Sequence, residues 1–262
     1  MSNTPHHVDW DARAPEVLAD QIAAYDQMRA RCPVAHDVDG HWSLFAHEDV
    51  VDALKDHETF SNAVSVHVAV PNGMDPPEHT AYRAIVDQYY TEERMAAFEP
   101  VLRQLTADLI DGLPRGESVE VMAALADPFA VRVQAAFMGW PDDVHEPLMA
   151  WVKENHAAVL SQDRARISRA AGTFDEQIRE QLDARRGKDV NDVTAELMAD
   201  TVDGRLLTDD EIVAIIRNWT VGELGTIAAS IGIILEFLAK RPEVQEQLRR
   251  DPSLAVAASD EI

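Results

Sequence analysis

With 262 residues, 46% of them hydrophobic, the chain is sized for one ordinary globular core or two small ones. Its formal net charge of −24, with Asp and Glu spread along the whole length, repels nucleic acid and suits a soluble protein. One cysteine, Cys32, excludes an internal disulfide and fits the reducing cytoplasm, while the polar, acidic N-terminus lacks the basic and apolar blocks of a signal peptide.

After that start, residues 15–31 read as a helix. Val34, His36 and Val38 then alternate up to Asp39-Gly40, and Trp42, Leu44 and Ala46 alternate beyond it, the signature of a β-hairpin. Residues 47–56 return to helical spacing. Residues 59–71 mix Val, Ser, Ala and His without a clear period and are expected to form an irregular loop, the kind of segment that often carries function. The next helix is expected to begin at Asp75-Pro76-Pro77-Glu78, with Asp75 as cap and Pro76 at the first helical position. It sets His79 and Arg83 one turn apart near the positive end of a helix, where they could grip a carboxylate or phosphate. On the residues alone, a solvated His79 and an Arg83 paired with Asp87, also at i+4, is the commoner arrangement.

Helices then dominate, over 92–113, 119–138, 142–160, 164–185 and 192–199, with a turn at Asp203-Gly204. The longest helical pattern spans 208–242. Thr208 and Glu211 form a capping box at its start, and Pro242 stops it. Ile212, Ile216, Trp219, Ile227, Ile231, Ile234, Leu235 and Leu238 make an apolar stripe expected to cross a core. The stripe breaks at Glu223, Thr226 and Ser230, beside Gly222 and Gly225, each glycine weakening a helix by about 1 kcal/mol relative to alanine. Such a break makes room for something that is not protein, or else marks a close helix crossing. Thr226 is placed to turn its hydroxyl onto the carbonyl of Gly222. The most apolar run, 221–237, holds Glu223 and Glu236 and is shorter than the roughly 20 residues of a membrane span, so no membrane association is expected. Helices over 244–250 and 254–262 follow, the latter without a terminator. No internal repeat or linker divides the sequence, so 1–262 is expected to be a single domain or part of one. Phosphate-binding loops, zinc motifs and the G-x-S-x-G elbow are absent from the sequence.

Taken in order, the hairpin with Trp42, Thr59-Phe60-Ser61, Asp75-Pro76-Pro77-Glu78-His79-Thr80 with Arg83, Asn191-Asp192-Val193, Leu207-Thr208-Asp209-Asp210-Glu211, the long helix and Arg241-Pro242-Glu243 resemble the bacterial cytochrome P-450 family of haem-thiolate monooxygenases. The resemblance implies a mainly α fold with a small β region, and places the chain as the N-terminal portion of one such domain. It implies haem as cofactor, with His79 and Arg83 serving its propionates, and Gly222 and Gly225 beside it. It implies Thr226 as the threonine that helps deliver protons during oxygen activation. O2, a small organic substrate and an electron donor of ferredoxin or reductase type would be the partners, in the cytoplasm. Val64, Val66 and Val68 are expected to touch substrate.

Two departures from the family pattern stand out. The small-Gly-x-acid-Thr order reads Gly222-Glu223-Leu224-Gly225-Thr226, so Glu223 is expected to act from a shifted place. The E-x-x-R motif begins at Glu261, so the thiolate ligand is expected beyond Ile262; Cys32 lies too far upstream to supply it. The alternative is a non-catalytic helical ligand-binding or structural fragment of the same fold.

Overall fold

The computed structural model describes residues 10–37, 40–64 and 68–262, and the chain divides into two units, Met1–Val64 and Ser65–Ile262. In the first, the helix expected over 15–31 is two helices, α1 (Pro15–Ala19) and α2 (Gln21–Arg31). Asp20 divides them by accepting the Ala23 N–H at 3.0 Å, because a short acidic side chain serves a helix better as cap than as interior residue. Strands β1 (Val34–His36) and β2 (Trp42–Leu44) pair antiparallel, with Ala35 opposite Ser43. Gly40 turns between them at φ +89°, while Val38 and Asp39 of the expected hairpin lie outside the described residues. Helix α3 (His47–Lys55) follows. Trp10, Val17, Met28 and Ala35 form this unit's core, and the thiol of Cys32 donates to the carbonyl of Val34 at 2.9 Å.

The second unit begins its helices with α4 (Glu78–Asp87), which runs into a 3-10 turn, Gln88–Tyr90. The start expected at Asp75 and Pro76 moves to Glu78. A proline disfavours the helical region for the residue before it, so Pro76, preceding Pro77, cannot open the helix, and the Asp75 carbonyl instead accepts the His79 N–H at 2.9 Å. Then come α5 (Glu92–Asp111) and α6 (Asp127–Met138), the latter continuing a π-helical stretch, Met122–Ala126. Helices α7 (His145–Ser161), α8 (Arg164–Arg185) and α9 (Val193–Ala199) match their expected positions. The turn at Asp203-Gly204 joins two short strands that the sequence pattern does not disclose, β3 (Thr201–Val202) and β4 (Arg205–Leu206). Helix α10 (Asp209–Ala239) carries on to α11 (Pro242–Arg250) and α12 (Ala255–Glu261).

The core lies where α6 and α8 pack on α10, around Met138, Phe174, Ile178, Leu182 and the run Ile212 to Ile216. A polar node closes its far end. Gly139 ends α6 at φ +73°, Arg185 donates to its carbonyl at 2.7 Å and to Asp192 at 2.9 Å, and Asp192 caps α9 through the Ala195 N–H at 2.8 Å. Charge-assisted bonds thereby satisfy an arginine whose side chain is only 6% exposed.

Candidate functional site

Helix α10 organises the site. Its capping box forms as the spacing predicts, with the Thr208 N–H donating to Glu211 at 2.7 Å and the Glu211 N–H to Thr208 Oγ1 at 3.3 Å. The Glu211 carboxylate also accepts both Arg205 Nη atoms, at 2.7 and 2.8 Å, and the Tyr82 hydroxyl. The Arg205 bond foremost, with Tyr82 and Thr208 adding to it against the opposing effect of burial, holds the Glu211 carboxyl down to about 2.

The apolar stripe is continuous only in the first half of the helix. Ile212 to Ile216, Trp219 and Thr220 are buried, whereas Ile227, Ile231, Ile234, Leu235 and Leu238 are half-exposed. By length and composition the 31-residue helix meets the measure of a membrane span, so the shortness of its apolar run does not itself argue against one. Its most apolar window is only 11% buried, which leaves an open apolar face after the buried half.

The polar break sits on that open part and not at a buried centre. Gly222, Thr226 and Ser230 are exposed, and Glu223 is half-buried. Thr226 Oγ1 donates to the Gly222 carbonyl at 2.7 Å and lies 3.1 Å from that of Glu223. Close helix crossing does not explain the two glycines. Among the described residues, a Cβ on Gly222 would meet nothing within 4 Å, and one on Gly225 would make an ordinary 3.6 Å contact with His156 Nε2 of α7. The close approach is at Gly232, where a Cβ would stand 2.7 Å from Met122 Sδ of the π-helical stretch.

Glu223 Oε1 accepts the Tyr90 hydroxyl at 2.7 Å. Burial raises the Glu223 carboxyl above its ordinary range, and the Tyr90 bond partly offsets it. Tyr90 stacks on Phe137 at 5.4 Å and meets Trp219 edge-on at 5.5 Å. Trp219 is buried, and its indole N–H has no acceptor among the described residues.

Three tyrosines therefore set α4 and its turn against neighbouring elements: Tyr82 on Glu211, Tyr89 on Asp200 at 2.6 Å, and Tyr90 on Glu223. Burying Tyr82, Ile85, Val86 and Tyr89 turns Arg83 outward, where it pairs with Asp87 at 2.6 Å, and leaves His79 half-exposed. In the preceding loop, the Val68 carbonyl accepts Arg217 of α10 at 2.7 Å, and Asn72 donates to Asn218 at 3.1 Å. Val68 also lines a shallow pocket of about 190 Å³ with Asp175, Arg179 and Arg217. Val64 is exposed in the other unit, and Val66 lies outside the described residues. Gly222, Glu223, Gly225 and Thr226 thus stand together on α10. Tyr90 and His156 join the neighbourhood without a signal in the sequence, since no spacing pairs them with α10.

Comparison with known proteins points in one direction. The family model described as Cytochrome P450 matches residues 129–262. A probable cytochrome P450 127A1 of Sinorhizobium fredii is 29% identical over 85% of this chain and 55% of its own length. A steroid C26-monooxygenase of Mycobacterium tuberculosis is 30% identical over 92% and 63%. An erythromycin C-12 hydroxylase of Saccharopolyspora erythraea is 28% identical over 94% and 65%, so the chain spans between about half and two thirds of these relatives. Among solved structures, cytochrome P450 CYP109Q5 from Chondromyces apiculatus superposes with a TM-score of 0.83 at 26% identity, over 97% of this chain and 67% of that one. Sequence and backbone agree: the chain belongs to the cytochrome P450 family and has its mainly helical fold.

Proposed function

We propose that this chain is the N-terminal portion of a single cytoplasmic haem-dependent monooxygenase domain, which inserts one oxygen atom of O2 into a small organic substrate. The observation that carries the reading is the open break in α10, where Thr226 donates to the Gly222 carbonyl and Gly222 presents no side chain to fill the space beside it. That opening, followed by Ile227 and Ile231, which pack on the core and keep part of their surface exposed, would offer an apolar side to bound haem. His79 and Arg83 would provide donors for its carboxylates, for which Arg83 would give up its partner Asp87. The thiol of Cys32 already donates to the Val34 carbonyl, and a thiolate to hold the haem would come from sequence following Ile262.

Bound haem supplies the redox chemistry that activates O2. The chain's own residues position and protonate. Thr226 holds a hydroxyl at the groove, oriented by the Gly222 carbonyl, and Glu223, its carboxyl raised by burial, stores a proton within the same turn of helix. Gly222 and Gly225 keep the groove open for O2. Val64, Val66 and Val68 are assigned to substrate contact. Relatives named as a steroid C26-monooxygenase and an erythromycin C-12 hydroxylase support an organic substrate, and their class implies an electron donor of ferredoxin or reductase type.

The test is the partition between product and hydrogen peroxide in the natural-source enzyme. Thr226→Ala and Glu223→Gln should each divert electrons from product to peroxide. If neither changes the partition, the proton-delivery role falls.

A further inference from the structure

Glu223 stands where the resemblance to the family implies a glycine, so what holds its side chain bears directly on the groove. In a helix, side chains lean toward the N-terminus, which directs Glu223 back toward Trp219, one turn earlier, and away from Thr226. Tyr90 occupies that space. Its ring is clamped between Phe137, 5.4 Å away at 27°, and Trp219, 5.5 Å away at 89°, and its hydroxyl meets Glu223 Oε1 at 2.7 Å. Trp219 belongs to the core and Phe137 packs against it, so the phenol ring is braced on packed side chains.

We propose that Tyr90 is a positioning residue for Glu223, a rigid mount whose hydroxyl keeps the carboxyl on the Trp219 side of α10 and leaves the groove at Gly222 and Gly225 clear. This rests on the monooxygenase reading for its purpose, not for its geometry. A carboxyl so held serves as a proton source that must leave one partner before it reaches another, and Tyr90 thereby sets when it is available. Other groups nearby do not substitute. Helix α6 presents Gln134, whose amide donates to Thr220 at 3.2 Å, and Phe137, which is apolar. Helix α7 presents His156, whose Nε2 faces Gly225, two residues beyond Glu223 and so on the opposite side of the helix. Arg94 lies over the neighbouring Tyr89 ring, at 5.0 Å, and is paired with Glu196.

Tyr90→Phe removes the hydroxyl and keeps the stacked ring, so the fold is retained. The readout is the infrared carboxyl band of Glu223, assigned by its loss in Glu223→Gln and titrated with pH in the full chain, with and without haem. A hydrogen bond to the ionised form favours that form, so losing it raises the midpoint; the expected shift in Tyr90→Phe is upward by about one pH unit, with the melting temperature little changed. A midpoint that stays put or falls overturns the proposal. A melting temperature that drops together with an unmoved midpoint also overturns it, since Tyr90 would then be a packing residue only. Because the band is read without turnover, a protein that takes up no haem yet shows the shift would sink the monooxygenase reading and leave the Tyr90–Glu223 pairing standing.

Discussion

Replacing Glu211 with glutamine removes one negative charge from the point where α10, α4 and β4 are joined, and leaves the shape of the side chain intact. Glutamine still serves a capping box, so the loss isolates the charged bonds to Arg205 and Tyr82. A carboxyl moved from 4.5 to about 2 corresponds to about 3 kcal/mol of stability at neutral pH. Arg205 is 51% exposed, so solvent screening reduces the expected cost of Glu211→Gln to about 2 kcal/mol. The sign follows from the direction of the shift. A depressed carboxyl stabilises the fold above its unfolded value, and that stability is lost as pH falls from about 4.5 toward 2. Urea denaturation at pH 7, 5, 4 and 3 should therefore show a wild-type advantage at the first two values that shrinks steadily across the last two. Hydrogen exchange should show faster opening of α4 in the variant, because Tyr82 loses its acceptor. A cost below about 0.5 kcal/mol at pH 7, or one that is the same at pH 3, would refute the reasoning.

Three further perturbations test the fold and the groove. Arg185→Ala leaves Asp192 and the Gly139 carbonyl without their donor and should cost about 3–5 kcal/mol; Gly139→Ala forces a side chain into positive φ and against Asp192, at about 2–4 kcal/mol. Denaturant midpoints that move by less than about 1 kcal/mol in either variant would contradict this node. Gly225→Ala gains up to about 1 kcal/mol of helix propensity against an ordinary contact with His156, so its melting temperature should hold or rise while product formation falls. A marked loss of stability would show His156 packed more tightly than the 3.6 Å separation indicates.

The sequence discloses what depends on local chemistry. The Thr208 and Glu211 cap, the helices over 92–113 and 164–185, and the bond from Thr226 to the carbonyl of Gly222 all follow from short-range spacing. Local reasoning also goes astray where two local rules compete: Asp75 and Pro76 look like a helix start until the restriction that Pro77 imposes on Pro76 is applied. What depends on chain-distant approach is hidden. The partners Tyr90 and Glu223 are 133 residues apart, and nothing in either stretch names the other. The same holds for the glycines of α10: three look alike in sequence, yet only Gly232 meets a neighbour, Met122, at a distance that crowds a Cβ. Strands β3 and β4, two residues each, are too short to show an alternating pattern. The open apolar half of α10 was legible as apolar but not as open, since periodicity reports what a helix could bury and not what comes to cover it.

The most direct test of the monooxygenase assignment is the absorption spectrum of the natural-source protein, oxidised and then reduced under carbon monoxide. The account predicts the red-shifted band of a thiolate-ligated haem. A protein that shows no haem signal, even after hemin is added, would contradict it.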